Sequence, residues 1–424
     1  MEVKLKDFYK TLKINSYIVI KWLLISLLSG GICGLVGLAF FYSLKFVTEL
    51  RTLKPYLIFS LPFLGLLIVF FYKATKVQKP RGTNLILDSL HSNEEIPLKM
   101  APLIFVSTVL THLGGGSAGR EGAALQLGGS IGAGIGRFLK LTDDDIKIVT
   151  MSGMSALFTA LFGTPLTASV FSIEVCSVGT FYYTAFFPCI IASLTAFHIT
   201  NFFSINYGSY MVEKLFEIKY SDYFKLGILI ILCSFVSMLF IIILHKVSEL
   251  FQKYFNDFYL RIFIGGCIVV AFTIVYGNFD YNGAGMDMVK RALSNDMPSY
   301  AFLLKIILTS ITIGSGFKGG EIVPSFFIGA TFGNFIAGLL GFNIALGAQL
   351  GLVSIFVGVV NCPLSGIILG VELFGSQNIL LFALAAAVSY ILSGYYSLYS
   401  SQKIIYTKLP KHKAKANFKQ KRLK

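Results

Sequence analysis

Apolar runs long enough to cross a bilayer recur from one end of this chain to the other, and no other feature limits its fold as severely. A membrane-spanning helix needs roughly 20 predominantly apolar residues. The clearest runs cover residues 17–47, 56–72, 100–113, 182–203, 223–244, 259–276, 301–313 and 379–398, and several others are short and broken by Gly or Pro. Of the 424 residues, 55% are hydrophobic and only 13% charged, against about 25% charged in a soluble protein. The expectation is an all-α polytopic membrane protein.

The formal net charge of +15 raises the question of nucleic acid, but its distribution points to the lipid bilayer instead. Residues 408–424 hold eight Lys/Arg and no acid, and Lys4, Lys6, Lys10 and Lys13 precede the first apolar run. By the bias of basic residues toward the cytoplasm, both termini are expected inside, and a basic tail suits an anionic leaflet. Residues 1–16 are polar and the first apolar run is too long for a signal peptide, so none is expected. The six cysteines lie in apolar stretches without CxxC spacing, and the five histidines are scattered without HExxH. They read as packing residues, and neither a metal nor a cofactor is expected. His112 and His198 fall in membrane stretches and are read as packed, hydrogen-bonded side chains.

The chain repeats itself. An offset of 200 pairs Gly114 with Gly314, Gly116 with Gly316, Gly119 with Gly319, Glu121 with Glu321 and Gly129 with Gly329. An offset of 198 pairs "GTPLTASVFSIEV" with "NCPLSGIILGVEL", matching Pro165 with Pro363 and Glu174 with Glu372. Each half runs glycine segment, acidic residue, short helix, Pro-Leu, apolar helix, Glu. Internal repeats with interrupted helices at matching places point to a transporter or channel. Unwound backbone at membrane depth is tolerated where protein buries it or where it lines a cavity, and glycine lets it approach an ion closely. The free N–H groups and positive dipole end of a short helix starting there favour an anion. The expectation is an anion site between two opposed half-helices near the midplane. The halves are read as 17–205 and 223–400, joined by a polar connector at 206–222, with an N-terminal segment 1–16 and a basic tail 401–424.

These motifs resemble the CLC family of chloride channels and proton-coupled anion antiporters. "GGSAGREGAALQLGGSIG" resembles the family's G-K/R-E-G-P signature, with Ala123 where proline is usual, and "GGEIVPSFFIGATFG" resembles its G-G-x-F-x-P segment. "FGTPLTASVFSIEV", "VNCPLSGIILGVEL" and "SLYSSQ" resemble its two Pro-Leu-helix-Glu pieces and the Leu-Tyr-Ser of its last helix. The resemblance covers about residues 17–400, implies a CLC-like fold of two inverted-topology repeats with broken and short tilted helices, and suggests a homodimer. It also indicates that the tail carries no regulatory domain. Three departures stand out. Thr83 and Asn84 in "RGTNLI" occupy the chloride-binding G-S-G-x-P, Val175 replaces an internal glutamate that passes protons, and Glu321 takes a normally apolar position beside the anion. That combination resembles the fluoride-exporting bacterial branch, which exchanges fluoride for protons across the cell membrane.

The resemblance implies that Glu121 is the gating glutamate, mimicking the anion when ionised and swinging away when protonated. A carboxyl caught between apolar burial and N–H donors can be poised to exchange protons near neutrality, and ionisable residues inside membranes are functional by default. A fixed pair with Arg120 is the structural alternative. Glu321 is read as an inner carrier of both proton and fluoride, because a neutral carboxylic O–H can donate to so basic an acceptor. A salt bridge to Lys318 is its alternative. Thr83 and Tyr399 offer hydroxyl donors and Asn84 an amide, while the N–H groups of Gly122, Ala123, Ile322 and Val323 are the expected anion donors. Glu174 and Glu372 are read as helix-packing residues or groups at the cytoplasmic ends. A chloride/proton antiporter or passive anion channel is the nearest rival reading. An intramembrane enzyme using Ser117 lacks a base, so no enzyme is expected, and nothing supports a receptor or structural role.

Overall fold

Among the described residues, sixteen α-helices form two sets of eight that follow the same order. In the first set α1 is Glu2–Leu53, α2 Leu61–Ala74, α3 Thr83–His91, α4 Met100–Leu113, α5 Glu121–Phe138, α6 Asp143–Phe162, α7 Pro165–Glu174 and α8 Phe186–Phe202. In the second, α9 is Tyr220–Tyr254, α10 Phe258–Tyr276, α11 Met286–Ala292, α12 Ala301–Gly314, α13 Ile322–Leu340, α14 Ile344–Val360, α15 Pro363–Phe374 and α16 Ile379–Leu392. The computed structural model describes residues 2–77, 81–92, 94–205, 207, 210, 220–294 and 297–408, with side chains omitted for 2–10, 220 and 221. Most of the expected connector (206, 208–209 and 211–219) and residues 409–424 of the tail therefore lie outside the described residues. No break in α1 marks residue 16: the helix carries the polar segment straight into the apolar one.

Local chemistry sets the helix ends. Pro165 and Pro363 open α7 and α15 at the first turn, where a missing N–H costs nothing. The Thr142 side chain accepts from the Asp145 N–H to cap α6, and three aspartates fill its first turn, which suits the helix dipole. Asn343 caps α14 in the same way. Both helices then end on a left-handed residue, Gly163 in α6 and Asn361 in α14.

Among the described residues, seven helical segments are long and apolar enough to cross a membrane. They divide into two kinds. Those with large exposed apolar side chains, such as Leu24, Phe63, Phe235 and Val275, form the outer, lipid-facing wall. The inner layer is α5 on α6 and α13 on α14, and it packs through glycine. A Cβ on Gly128 would lie 2.3 Å from the Gly153 carbonyl oxygen, and one on Gly329 would lie 2.5 Å from that of Gly351. Neither approach leaves room for a methyl group, so these pairs hold the backbones in direct contact, as small residues do between membrane helices.

The two halves meet at the midpoint of the chain's own repeat. Gly119 and Gly320 form an isolated antiparallel bridge, exchanging N–H···O bonds of 2.7 and 2.9 Å. Further out, α7 and α15 cap each other. The Glu174 carboxylate accepts the N–H groups of Leu364 (3.0 Å) and Ser365 (2.8 Å) at the start of α15. Glu372 accepts those of Leu166 (2.9 Å) and Thr167 (2.8 Å) at the start of α7. Both contacts require antiparallel, two-fold related halves. After α16 the chain returns, and a two-residue strand Lys403–Ile404 (β2) pairs in parallel with Ser177–Val178 (β1), joining the C-terminal segment to the first half.

The register of the repeat differs from the sequence pairing at the site. The left-handed glycines Gly115 and Gly316, the bridged pair Gly119 and Gly320, and the packing glycines Gly128 and Gly329 are all related by an offset of 201, not 200. Glu121 therefore corresponds to Ile322, and Glu321 to Arg120. Glycine-rich runs yield identities in several registers, and only the backbone conformation selects one.

Candidate functional site

The glycine segments before α5 and α13 bring two carboxylates together. The lead-in to α5 is held by α12, where Ser117 N–H donates to Thr312 Oγ1 (3.1 Å) and the Ser117 and Thr309 hydroxyls bond at 3.0 Å. The Ser117 hydroxyl is thus engaged with a threonine rather than with a base. From this support Glu121 folds back over the Gly119–Gly320 bridge. Its Oε2 accepts the Arg120 N–H at 2.7 Å. Cβ atoms on Gly119 and Gly320 would fall 2.2 and 2.4 Å from its oxygens, so glycine is required at both positions. The carboxylate faces the Ile322 and Val323 N–H groups that open α13. Its Oε1 stays short of hydrogen-bond geometry with any partner. Glu121 is completely buried.

Neither structural alternative for the glutamates is realised. The Arg120 guanidinium lies over the rings of Phe41 (5.1 Å) and Phe162 (5.2 Å), and no ion pair within 4.0 Å joins it to Glu121 among the described residues. Lys318 likewise sits over Tyr72 (5.1 Å) and Phe258 (5.9 Å) and is not ion-paired to Glu321. Glu321 is the N-cap residue of α13, and one of its oxygens would be 3.4 Å from a Cβ on Gly122. Each carboxylate thus lies against a glycine of the opposite half.

A cavity of about 1190 Å³ leads to Glu321, and Thr83, Asn84, Gln126, Lys318 and Tyr399 line it together. The first turn of α3 starts at Thr83, but the residue preceding it, Gly82, holds the cap position with φ +61° and makes no side-chain cap bond. The Thr83 hydroxyl donates weakly to the Gly122 carbonyl at 3.4 Å. Asn84 uses its Oδ1 to accept the Ser401 N–H at 3.0 Å, which ties the segment carrying Tyr399 to α3. Tyr399 is 2% exposed and its hydroxyl has no protein partner. Since a buried hydroxyl without a partner is costly, this is an open donor beside the two carboxylates. Val175 is fully buried, and its carbonyl accepts from Gln402 Nε2 at 3.0 Å.

Of the nine residues expected at the site, Glu321, Thr83, Asn84 and Tyr399 line this cavity. Glu121, Gly122, Ile322 and Val323 lie behind it, where the halves cross, and Ala123 is buried in the first turn of α5. Gln126 escaped the sequence reading. Its Nε2 donates to the Gly122 carbonyl at 3.0 Å and approaches Thr83 Oγ1 at 3.5 Å. Its position one turn after Gly122 was the available signal. Gln402 was missed too, although it closes the quoted "SLYSSQ": it lines the cavity and joins Val175, Val360 and Asn361 there.

The expectation of a packed histidine holds for His112, which is buried, but not for His198, which is exposed beside the Phe197 ring. His112 Nδ1 bonds the Thr108 carbonyl at 2.9 Å, and all six cysteines are unbridged, five of them buried. Among the described residues no group of three or more His, Cys, Asp and Glu side chains is placed to hold a metal.

Comparison with known proteins agrees with this architecture. Residues 64–394 match the voltage gated chloride channel family. The chain is 31% identical over 397 residues to a chloride/fluoride channel protein of Pseudomonas syringae pv. tomato, covering 92% of this chain and 88% of that one. It is 24% identical over 396 residues to an H(+)/Cl(−) exchange transporter of Vibrio cholerae, covering 85% of this chain and 83% of that one. Among solved structures, a CLC-type fluoride/proton antiporter superposes with a TM-score of 0.87 at 33% identity, covering 92% of this chain and 99% of that one. A slow cyanobacterial Cl−/H+ antiporter, at 21% identity and a TM-score of 0.76 over 88% and 94% of the two chains, shows the same fold. With its interleaved halves, its glycine-bounded carboxylates and these matches, the chain belongs to the voltage gated chloride channel (CLC) family of membrane anion transport proteins and is not an enzyme.

Proposed function

We propose that this protein is a proton-coupled antiporter that exports fluoride from the bacterial cytoplasm, driven by inward proton flow. The observation that carries the reading is the packing of Glu121 and Glu321 against glycines of opposite halves, one sealed and one facing a wide cavity. Ionised Glu121 closes the crossing by occupying the N-terminal end of α13. Once protonated it leaves, and an anion replaces it at the N–H groups of Ile322 and Val323, with Gly122 and Ala123 supplying the opposite helix start. Glu321 lies within electrostatic reach of Glu121 and faces the cavity. It takes the proton onward and, when neutral, donates its O–H to fluoride. That dual use accounts for an apolar Val175 on the proton side. Thr83, Asn84, Gln126 and Tyr399 are the polar groups that receive the ion from the cavity.

The homodimer, the cell-membrane location with both termini cytoplasmic, and the division into halves at 17–205 and 223–400 belong to the same proposal. Leu166 and Leu364, about half exposed at the mutually capped ends of α7 and α15, supply an apolar two-fold face for a second copy. Flux from proteoliposomes tests the function. Fluoride should move far faster than chloride, and an imposed proton gradient should drive it uphill. Glu121→Gln and Glu321→Gln should each abolish proton-driven exchange. Equal halide fluxes would overturn the fluoride reading, and proton-independent fluoride flux would point to a passive channel.

A further inference from the structure

A second cavity, about 770 Å³, is continuous with the first and shares Arg81, Ser248, Gln252, Ile313, Gly314 and Lys318 with it. Its wall joins the C-terminal ends of α2 and α9, the N-terminal end of α10 and the segment after α12. Lys73, Lys76, Arg81, Arg261 and Lys318 line it, and no Asp or Glu does so among the described residues. Arg81 is neutralised by Asp88 and Glu94. The other four cations have no carboxylate within 4.0 Å among the described residues.

Aromatic rings hold these cations in place of acids. Lys73 lies 4.1 Å from the Tyr259 ring centre, Arg261 4.7 Å from that of Phe258, and Lys318 sits between Tyr72 and Phe258. Such contacts orient a cation while leaving its N–H donors free. Arg261 Nε is buried without a hydrogen-bond partner, and the Tyr72 hydroxyl lies against the Ser107 hydroxyl. Basic residues collected only by membrane topology would point to water instead of packing over aromatic rings around one cavity.

We propose that this chamber binds a multivalent phosphate-type oxyanion. A single halide would leave most of the four charges uncompensated, whereas a phosphate monoester carries about −1.5 to −2 at pH 7 and several strong acceptor oxygens. Arginine and lysine donors suit that group. The ligand is either a free phosphate compound or the headgroup of a phospholipid, reached through the ends of α2 and α10, whose flanks carry exposed Phe63, Phe70 and Leu260. Because Lys318 also lines the cavity leading to Glu321, the bound anion acts on the transport pathway from the side. The site does not depend on which halide the pathway carries.

Calorimetry on the purified full chain in uncharged micelles tests the site with two probes, inorganic pyrophosphate and phosphatidic acid doped against phosphatidylcholine. Saturable binding of pyrophosphate assigns the free oxyanion, and binding of phosphatidic acid alone assigns the headgroup. In either case the Arg261→Gln/Lys73→Gln double variant should bind at least tenfold more weakly, and added salt should weaken the wild type. Should that variant fail to fold, Lys73→Gln/Lys76→Gln removes two exposed side chains and carries the same tenfold expectation. No binding of either probe, or binding undiminished in the folded variant, would overturn the proposal.

Discussion

Removing each carboxylate of the mutual cap between α7 and α15 distinguishes a structural role from proton carriage. Glu174 is 7% exposed and accepts two N–H groups and the Ser365 hydroxyl. Glu372 accepts two N–H groups from a half-buried position. Losing a helix N-cap costs about 1 kcal/mol and up to about 2, and a hydrogen bond to a charged group contributes about 1.5–3 kcal/mol. Water can reach the donors stranded by Glu372→Ala, so about 2 kcal/mol is expected there. The buried Ser365 site admits no such rescue, and Glu174→Ala should cost about 4 kcal/mol. With about 2.1 cal/mol/K of unfolding entropy per residue, a 424-residue chain loses about 1 °C in Tm per kcal/mol. Thermal melting in detergent should therefore drop by at least about 2 °C for Glu372→Ala and about 4 °C for Glu174→Ala. Both drops would be larger if helices survive the transition. Proton-driven flux at low temperature should persist in both variants. Equal drops in the two would refute the burial argument. Lost coupling with unchanged melting would make the residue a carrier.

Three further outcomes follow from the site. Tyr399→Phe removes a hydroxyl that has no protein partner, so melting should hold while apparent fluoride affinity falls about tenfold, the equivalent of about 1.4 kcal/mol; unchanged affinity would remove Tyr399 from the site. Gly320→Ala would set a methyl 2.4 Å from Glu121 Oε1 and 2.5 Å from the Gly122 nitrogen, and proteoliposome flux should collapse, whereas Gly338→Ala meets nothing within 4 Å and should be neutral or stabilising by roughly 0.5–1 kcal/mol. Gln126→Leu keeps most of the volume but strips the amide from the Gly122 carbonyl, and calorimetry should record weaker fluoride binding; wild-type affinity would make that amide purely structural.

Much of the architecture was legible because lipid imposes a simple rule on the outer helices. The run at 259–276 is α10 almost to the residue, and that at 100–113 is α4. The helices that build the site were harder to see. In α6 and α13 the most apolar window is 78% and 83% buried inside the protein, against 33–50% for spans such as α10 and α9. Facing protein instead of lipid, they carry more Gly, Ser, Thr and Ala, and their hydropathy is 1.3 and 1.6 against 2.2 and 3.0 for α10 and α9. Hydropathy registers contact with lipid, not depth in the membrane. The motifs recovered what hydropathy missed. Glycine beside a carboxylate at an interruption marked the place where the halves cross, and Thr83 and Asn84 line one cavity with Tyr399, more than 300 residues further along the chain. Gln402 closed the quoted "SLYSSQ" but showed no role there, since its contacts with Val175, Val360 and Asn361 depend on how the C-terminal segment returns.

The repeat also carried a lesson in symmetry. Pairing Glu121 with Glu321 made the carboxylates look like mates, one for each half. In the folded chain the mates are Glu121 with Ile322 and Arg120 with Glu321, and the difference has mechanical weight. Equivalent carboxylates on a two-fold axis would share one environment and could not hold different tasks. Here the axis passes through the Gly119–Gly320 bridge and leaves the two acids unlike. Glu121 is enclosed, its Oε2 on the Arg120 N–H and its carboxylate facing the start of α13. Glu321 caps that same helix from the cavity side. Arg120, its true counterpart, turns its guanidinium the other way, onto Phe41 and Phe162. The duplicated backbone thus supplies two opposed helix starts, and unequal side chains at equivalent positions give the path between them a direction.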